Sequence, residues 1–198
     1  MKKFLISAFD PFGGEKINSS LEILNLLPEK TGEKTIKKVV LPTMFFKSFD
    51  VLKEEIEKEN PDVVICLGQA GGRKEINLER IAVNIMDAEI PDNQNYKADG
   101  VFIKEEGPAA YFTNLPVKKI KDEVQNVIPI KISNHAGTFV CNYILYSLLD
   151  YIYNSNKKIM GGFVHLPYLK KQAEDKKNIT GFSEEELLKG VVAIINSI

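Results

Sequence analysis

The run Val63-Val64-Ile65-Cys66-Leu67, stopped by Gly68, constrains the fold most. Five consecutive apolar residues without polar alternation do not suit a sheet with one wet face. They predict a strand covered on both sides, as in parallel sheets flanked by helices. Phe4–Ala8, Thr35–Leu41, Val127–Ser133 and Gly161–Leu166 read as further strands, and Arg80–Asp87 as another by its alternation. Between them lie amphipathic patterns. Phe45, Phe49, Leu52 and Ile56 recur at helical spacing up to Glu59, before Pro61. Val117–Gln125 reads as a lysine-faced helix, with Pro108 as an upstream helix start. Ile144, Leu145, Leu148, Leu149 and Ile152 share one face of a helix from Cys141 to about Tyr153. Ser19 with Glu22, and Ser183 with Glu186, have the spacing of capping boxes at the first and last helices. Repeated strand-then-helix units predict an α/β protein with a largely parallel sheet. With no repeat, linker or low-complexity tract, residues 1–198 read as one domain.

Composition excludes several function classes. The net charge is −1, so no basic surface points to nucleic acid. No apolar stretch approaches the roughly 18 residues of a membrane span. The segment Met1–Asp10 has two lysines but only a few apolar residues before Asp10, unlike a signal peptide. Two cysteines and two histidines fit neither a disulfide framework nor a structural zinc site. The expectation is a cytoplasmic protein without metal or cofactor. The stretch from Glu89 to about Gly107 is rich in Asp, Asn, Pro and Gly and reads as a long loop, a length commonly tied to function.

In parallel α/β sheets chemistry collects beyond the carboxyl ends of the strands. Four segments are expected there: Phe9–Gly14, Gly68–Glu79, Asn134–Cys141 and His165–Tyr168. Cys141 follows a small-residue turn and opens a helix. The positive end of the helix dipole and its free N–H groups would favour the thiolate and could hold an oxyanion. Cys66, inside an apolar strand, reads as core. His165 ends a strand and could act as base, then acid. His135, six residues before Cys141, is a rival partner. Glu79 could orient a histidine as the third member of a triad. The Gly-rich turn Gly68–Gly72 lacks a nucleotide-binding glycine pattern and could let backbone approach a ligand. Both arginines of the chain, Arg73 and Arg80, lie in or beside this segment. Phe9 and Phe12 could line a small apolar pocket or fold into the core.

Together these segments resemble the pyroglutamyl peptidase I family, also called pyrrolidone-carboxylate peptidases. The likeness is carried by FDPFGG from Phe9, GQAGGR from Gly68 with the later ER and AVN, and IPDN at Ile90–Asn93. It continues in GPAAYF at Gly107–Phe112, AGTFVCN at Ala136–Asn142, and VHLPY around His165. The resemblance implies a three-layer α/β/α fold with a twisted mixed sheet. It implies a cysteine exopeptidase that removes N-terminal pyroglutamate from peptides, without cofactor and often as a homotetramer. It maps a triad onto Glu79, Cys141 and His165. The lactam pocket maps onto Phe9, Phe12, Thr43, Gln69, Ile90, Phe139 and Val140, with Asn18 near the entrance turn. Ala8, Glu89 and His135 depart from the family pattern, and none of them is a triad position. Other readings are a phosphorylase or nucleosidase of similar architecture, a non-catalytic binder of pyroglutamyl peptides, and a redox-sensing thiol protein.

Overall fold

The computed structural model describes residues 1–174 and 176–198. In chain order the elements are β1 (Lys2–Phe9), α1 (Ser19–Leu26), β2 (Lys30–Thr31), β3 (Lys34–Leu41), α2 (Lys47–Glu59), β4 (Val63–Gln69) and β5 (Ile76–Glu79). Then come β6 (Ile81–Val83), β7 (Ala110–Phe112), α3 (Val117–Val124), β8 (Ile130–Ser133) and α4 (Val140–Asn154). β9 (Met160–Leu166), α5 (Lys170–Ala173) and α6 (Glu184–Asn196) complete the chain. Seven strands form one sheet in the order β2-β3-β1-β4-β9-β5-β8. β3, β1, β4 and β9 run parallel, while β5 runs antiparallel to β9 and carries β8 alongside it in its own direction. The sheet is therefore mixed and mostly parallel.

Period-two alternation sorts the side chains into two layers. Phe4, Ile6, Ala8, Val63, Ile65, Leu67, Ile76, Leu78, Val164 and Leu166 pack with α1, α3 and α6 on one face. Leu5, Phe9, Val64, Cys66 and Phe163 pack with α2 and α4 on the other. Every residue of β4 is buried, as its unbroken apolar run predicts. Glu79, Gly68 and His165 follow the second parity, which aims them toward the layer that holds α4.

Several local features differ from the sequence reading. The cap of α1 is Asn18, whose Oδ1 accepts from the Ser20 N–H at 3.0 Å. Ser19 is already helical and its buried hydroxyl has no hydrogen-bond partner. Asn can accept from a neighbouring helical N–H as well as Ser can, and it sits one residue earlier. The helix α2 starts at Lys47, because Phe46 takes φ +60° and ψ −60° in a γ-turn closed by the Lys47 N–H on the Phe45 carbonyl at 2.6 Å. The predicted strand Arg80–Asp87 shrinks to β6, which pairs only with β7 in a two-stranded ribbon. Its alternation reflects that ribbon and a single bridge between Met86 and Val101. Pro108 opens no helix; its carbonyl accepts from the Tyr146 hydroxyl at 2.8 Å, and β7 follows. The second capping box is present, with Ser183 and Glu186 bonded reciprocally.

The 89–107 segment is pinned by carboxylates. Asp92 accepts from the N–H groups of Phe45, Gln94 and Tyr96 at 2.9–3.0 Å. Asp10 accepts from the Thr43 N–H at 2.6 Å and from Asn93 Nδ2 at 3.1 Å. Asn18→Ala should lower the unfolding free energy by about 1–2 kcal/mol, the usual loss of a helix cap. Ser19→Ala should be neutral or slightly stabilising, since it removes an unsatisfied buried hydroxyl. Urea unfolding of the two variants separates these assignments.

Candidate active site

His165 lies near the end of β9, and Gly68 is its register partner on β4. Gly68 has no side chain where one would collide. A Cβ there would sit 2.4 Å from Phe163 Cζ and 3.1 Å from Cys141 Sγ. The thiol thus rests against the backbone of the strand that pairs with His165. On the other side of β9, Asn77 of β5 lies opposite His165 and Glu79 opposite Phe163. Glu79 reaches diagonally back, and the His165 Nδ1 is 2.7 Å from its Oε1. The acceptor is a carboxylate, so Nδ1 carries the proton and Nε2 keeps a free lone pair. The Phe163 ring packs on the imidazole with centroids 4.7 Å apart and planes tilted by 58°, which limits the turning of the imidazole.

Arg73, in the loop from β4 to β5, completes the cluster. Its Nη1 donates to Glu79 Oε1 at 2.5 Å and its Nη2 to the His135 carbonyl at 3.1 Å. The two arginines near the Gly-rich segment were the only sequence signal for this, and they did not say which of them faces inward. Arg80 instead bonds Asn134.

The ionisation pattern follows from burial and these partners. Burial would raise the Glu79 carboxyl, but the bond and charge of His165, the Ser133 hydroxyl and the charge of Arg73 outweigh it and hold it below the ordinary value. Burial lowers His165; Glu79 opposes this and Arg73 adds to it, leaving the imidazole neutral near pH 7. Burial pushes the Cys141 thiol up to about 12, with Glu79 adding to the rise and Arg73 working against it. The thiol is therefore the resting form. Desolvation thus works against the thiolate that the helix start favours. Cys66 is likewise pushed up to about 12 by burial, and is core as expected. His135 is exposed; its Nδ1 accepts from the Gly137 N–H at 2.9 Å, so it is a turn residue and not the partner of Cys141.

Val140 and Cys141 occupy the first two helical positions after Phe139, so their N–H groups have no intrahelical acceptor. Phe139, just before them, packs on Phe12 at 5.8 Å and Phe45 at 5.4 Å. Ile90 Cδ1 lies 3.3 Å from where a Cβ of Gly13 would be, bringing the loop over the Phe12 turn. Phe9 is buried against Phe163 with centroids 6.3 Å apart. The Gln69 Oε1 is occupied by the Ser19 N–H and Gln172 Nε2, which leaves its own NH₂ as a donor. Asn18 and Thr43 spend their side chains on the Asp10 carbonyl at 3.1 and 3.0 Å, so they brace the entrance turn. A hollow of about 450 Å³ along Glu29, Lys30 and Thr35–Lys38 lies at the β2–β3 edge and holds no nucleophile. Among the described residues no group of three or more His, Cys, Asp and Glu could hold a metal ion.

A thiol at the start of α4, with a neutral imidazole on β9 and a buried carboxylate on β5, is the set of groups that a thiol hydrolase acting on acyl groups needs. Comparison with known proteins agrees. The family model for pyroglutamyl peptidase matches residues 2–198. The pyrrolidone-carboxylate peptidase of Thermosipho africanus is 47% identical over 197 residues, covering 99% of this chain and 96% of that one. That of Fusobacterium nucleatum is 45% identical over 199 residues, covering 100% and 93%. Among solved structures, pyroglutamyl peptidase I from Bacillus amyloliquefaciens superposes with a TM-score of 0.94 at 42% identity, covering 99% of this chain and 94% of that one. A single-site variant of the Pyrococcus furiosus pyrrolidone carboxyl peptidase gives 0.94 at 39% identity, covering 98% and 97%. The chain belongs to the pyroglutamyl peptidase family of cysteine peptidases, enzymes that remove N-terminal pyroglutamate.

Two outcomes follow. Gly68→Ala should remove most activity by displacing Phe163 and the thiol, and Phe163→Leu in that background should restore part of it, read by steady-state kinetics. The folded protein resists protonating His165 and Glu79 more than the unfolded chain does. Stability is therefore full above the ordinary histidine value and falls as pH drops through it, then again through the carboxylate range. Urea midpoints from pH 8 to 4 should show this fall, and His165→Gln should flatten its upper part.

Proposed function

We propose that the protein hydrolyses the amide linking an N-terminal pyroglutamyl residue to a peptide, through a thioester on Cys141. The observation that carries this is the thiol set against Gly68, the strand partner of His165, whose Nδ1 is held by Glu79. His165 Nε2 takes the Cys141 proton as sulfur attacks the acyl carbon. The Val140 and Cys141 N–H groups receive the developing oxyanion; losing one such donor raises a barrier by about 3–4 kcal/mol. The imidazolium then protonates the leaving nitrogen, the C–N bond breaks, and the thioester remains. Water gives a proton to Nε2 and attacks, sulfur leaves and takes that proton back from the imidazolium, and pyroglutamate is released with the neutral thiol and imidazole restored. Glu79 keeps the imidazole in one tautomer throughout and does not itself change protonation.

The pyroglutamyl ring is small, flat and uncharged. Phe9, Phe12 and Phe139, with Ile90 and Val140, supply apolar walls, and Gln69 supplies polar edges. An ordinary α-amine would carry its charge into an apolar slot and be rejected by desolvation. The chain acts as one unit over residues 1–198, in the cytoplasm, and assembles as a homotetramer. No described helix is long and apolar enough to cross a membrane.

The test is hydrolysis of a pyroglutamyl-linked fluorogenic amide under reducing conditions. Wild type should cleave it, and Cys141→Ser should lose essentially all activity while keeping its fold. Equal cleavage of amides starting with Gln or Pro would overturn the specificity reading. Light scattering should give four copies per particle.

A further inference from the structure

We propose that Arg73 is a positioning residue for the acyl-transfer site, with one guanidinium setting both the Glu79–His165 pair and the turn that delivers Cys141. This rests on the assignment of Cys141, His165 and Glu79 above. The two ends of the guanidinium reach different parts of the site. Nη1 donates to Glu79 Oε1, the same oxygen that faces His165 Nδ1. Nη2 donates to the carbonyl of His135, the residue that opens the turn into α4.

That turn needs an anchor. Gly137 lies at φ +84°, in a conformation without side-chain restraint. Downstream, Thr138 is tied to Asp87 by its hydroxyl at 2.8 Å and by the Asp87 N–H on its carbonyl at 3.0 Å. Upstream, the His135 carbonyl takes Arg73 and, at 3.3 Å, the Ser133 hydroxyl. The Ser133 hydroxyl also lies beside Glu79, but of these ties only Arg73 brings a charge and a 2.5 Å bond to the Glu79 carboxylate. A planar fork can hold a carboxylate and a carbonyl at a fixed separation, whereas a single ammonium cannot. The Arg73 side chain is 27% exposed against 0% for Glu79, so the pair is closed on its inner side and open to solvent on its outer side.

The charge has a second consequence. The titratable groups facing Arg73 and Glu79 are His165 from β9 and Cys141 from α4, with the Ser133 hydroxyl from β8 as a neutral hydrogen-bonding neighbour. A cation here keeps Glu79 ionised, opposes protonation of His165 and helps Cys141 lose its proton. Removing it moves all three the wrong way for catalysis. The acid limb of kcat/KM, which rises as His165 becomes neutral, should then shift to higher pH.

The experiment compares wild type with Arg73→Ala, Arg73→Gln and Arg73→Lys on the pyroglutamyl amide, with Cys141→Ser alongside. In Arg73→Ala kcat should fall about 100-fold, the scale of a small misplacement of reacting groups, with KM changed less than about threefold. Its acid limb should move up, and added guanidinium at millimolar concentration should restore part of kcat. Arg73→Lys should keep the wild-type acid limb while recovering only part of kcat. A folded Arg73→Ala with wild-type kcat and limb would overturn the proposal. So would a loss of kcat that tracks a loss of thermal stability, with neither limb shift nor guanidinium rescue. If Arg73→Ala and Arg73→Gln do not fold, full kcat in Arg73→Lys still refutes the fork. Activity retained in Cys141→Ser would instead sink the site assignment itself, independently of Arg73.

Discussion

The buried carboxylate of Glu79 is the constraint on which the site depends. At 1% exposure it has left water almost completely, and an ionised carboxylate there must be compensated. Two donors converge on its Oε1, His165 Nδ1 and Arg73 Nη1, while Oε2 makes no hydrogen bond and the Ser133 hydroxyl lies beside the group. That crowding is costly for stability alone, since buried ion pairs rarely exceed a well-packed apolar substitute. Its return is orientation. Each donor is itself attached to something else that must be placed, the imidazole at the end of β9 and the turn before α4.

The direction of β5 makes this possible. If β5 ran parallel to β9, its carboxyl end would lie beside His165 at the open end of the sheet. Because β5 runs the other way, it enters at Asn77 beside His165 and reaches Glu79 two residues deeper, level with Phe163. The three groups are thus ordered by depth. Glu79 is deepest, His165 is buried next to it, and Cys141 keeps some exposure. The depth order matches the chemistry each position allows. A carboxylate sealed from water but paired stays ionised, an imidazole at intermediate depth stays neutral, and the outermost group meets the substrate.

Much of this was legible in the sequence. The apolar run of β4, the face of α4 and the Ser183 cap follow from local pattern, and local pattern decides them. The pairing of Cys141 with His165 over His135 needed the family likeness, because six residues of separation along the chain says nothing about which ring faces the thiol. The short strand β5 was hidden inside Gly68–Glu79. Its four residues, Ile76-Asn77-Leu78-Glu79, alternate as a strand should, but a glycine-rich turn and three charged residues precede them. A strand with polar residues on a buried face breaks the usual pattern wherever that face carries chemistry. The helix start at Cys141 is visible in sequence, whereas the burial that works against its thiolate comes from packing, with the sulfur set against Gly68 of β4.

Phe139 links specificity to reactivity within the reading proposed here. Its backbone is the cap residue immediately before Val140 and Cys141, and its ring touches Phe12 and Phe45. A ring that forms a wall of the pocket is therefore two residues from the nucleophile and one residue from the first oxyanion donor. The Phe12 turn is in turn held by Asn93, whose Nδ2 donates to the Pro11 carbonyl at 2.9 Å and to Asp10. Binding energy from a snug lactam ring would be expressed as a fixed position of the start of α4, which is where the charge of the transition state develops. A loosely fitting residue would bind the same walls yet leave the acyl carbon off the line between sulfur and the N–H donors. Discrimination would then fall on kcat/KM through the reaction step as well as through binding.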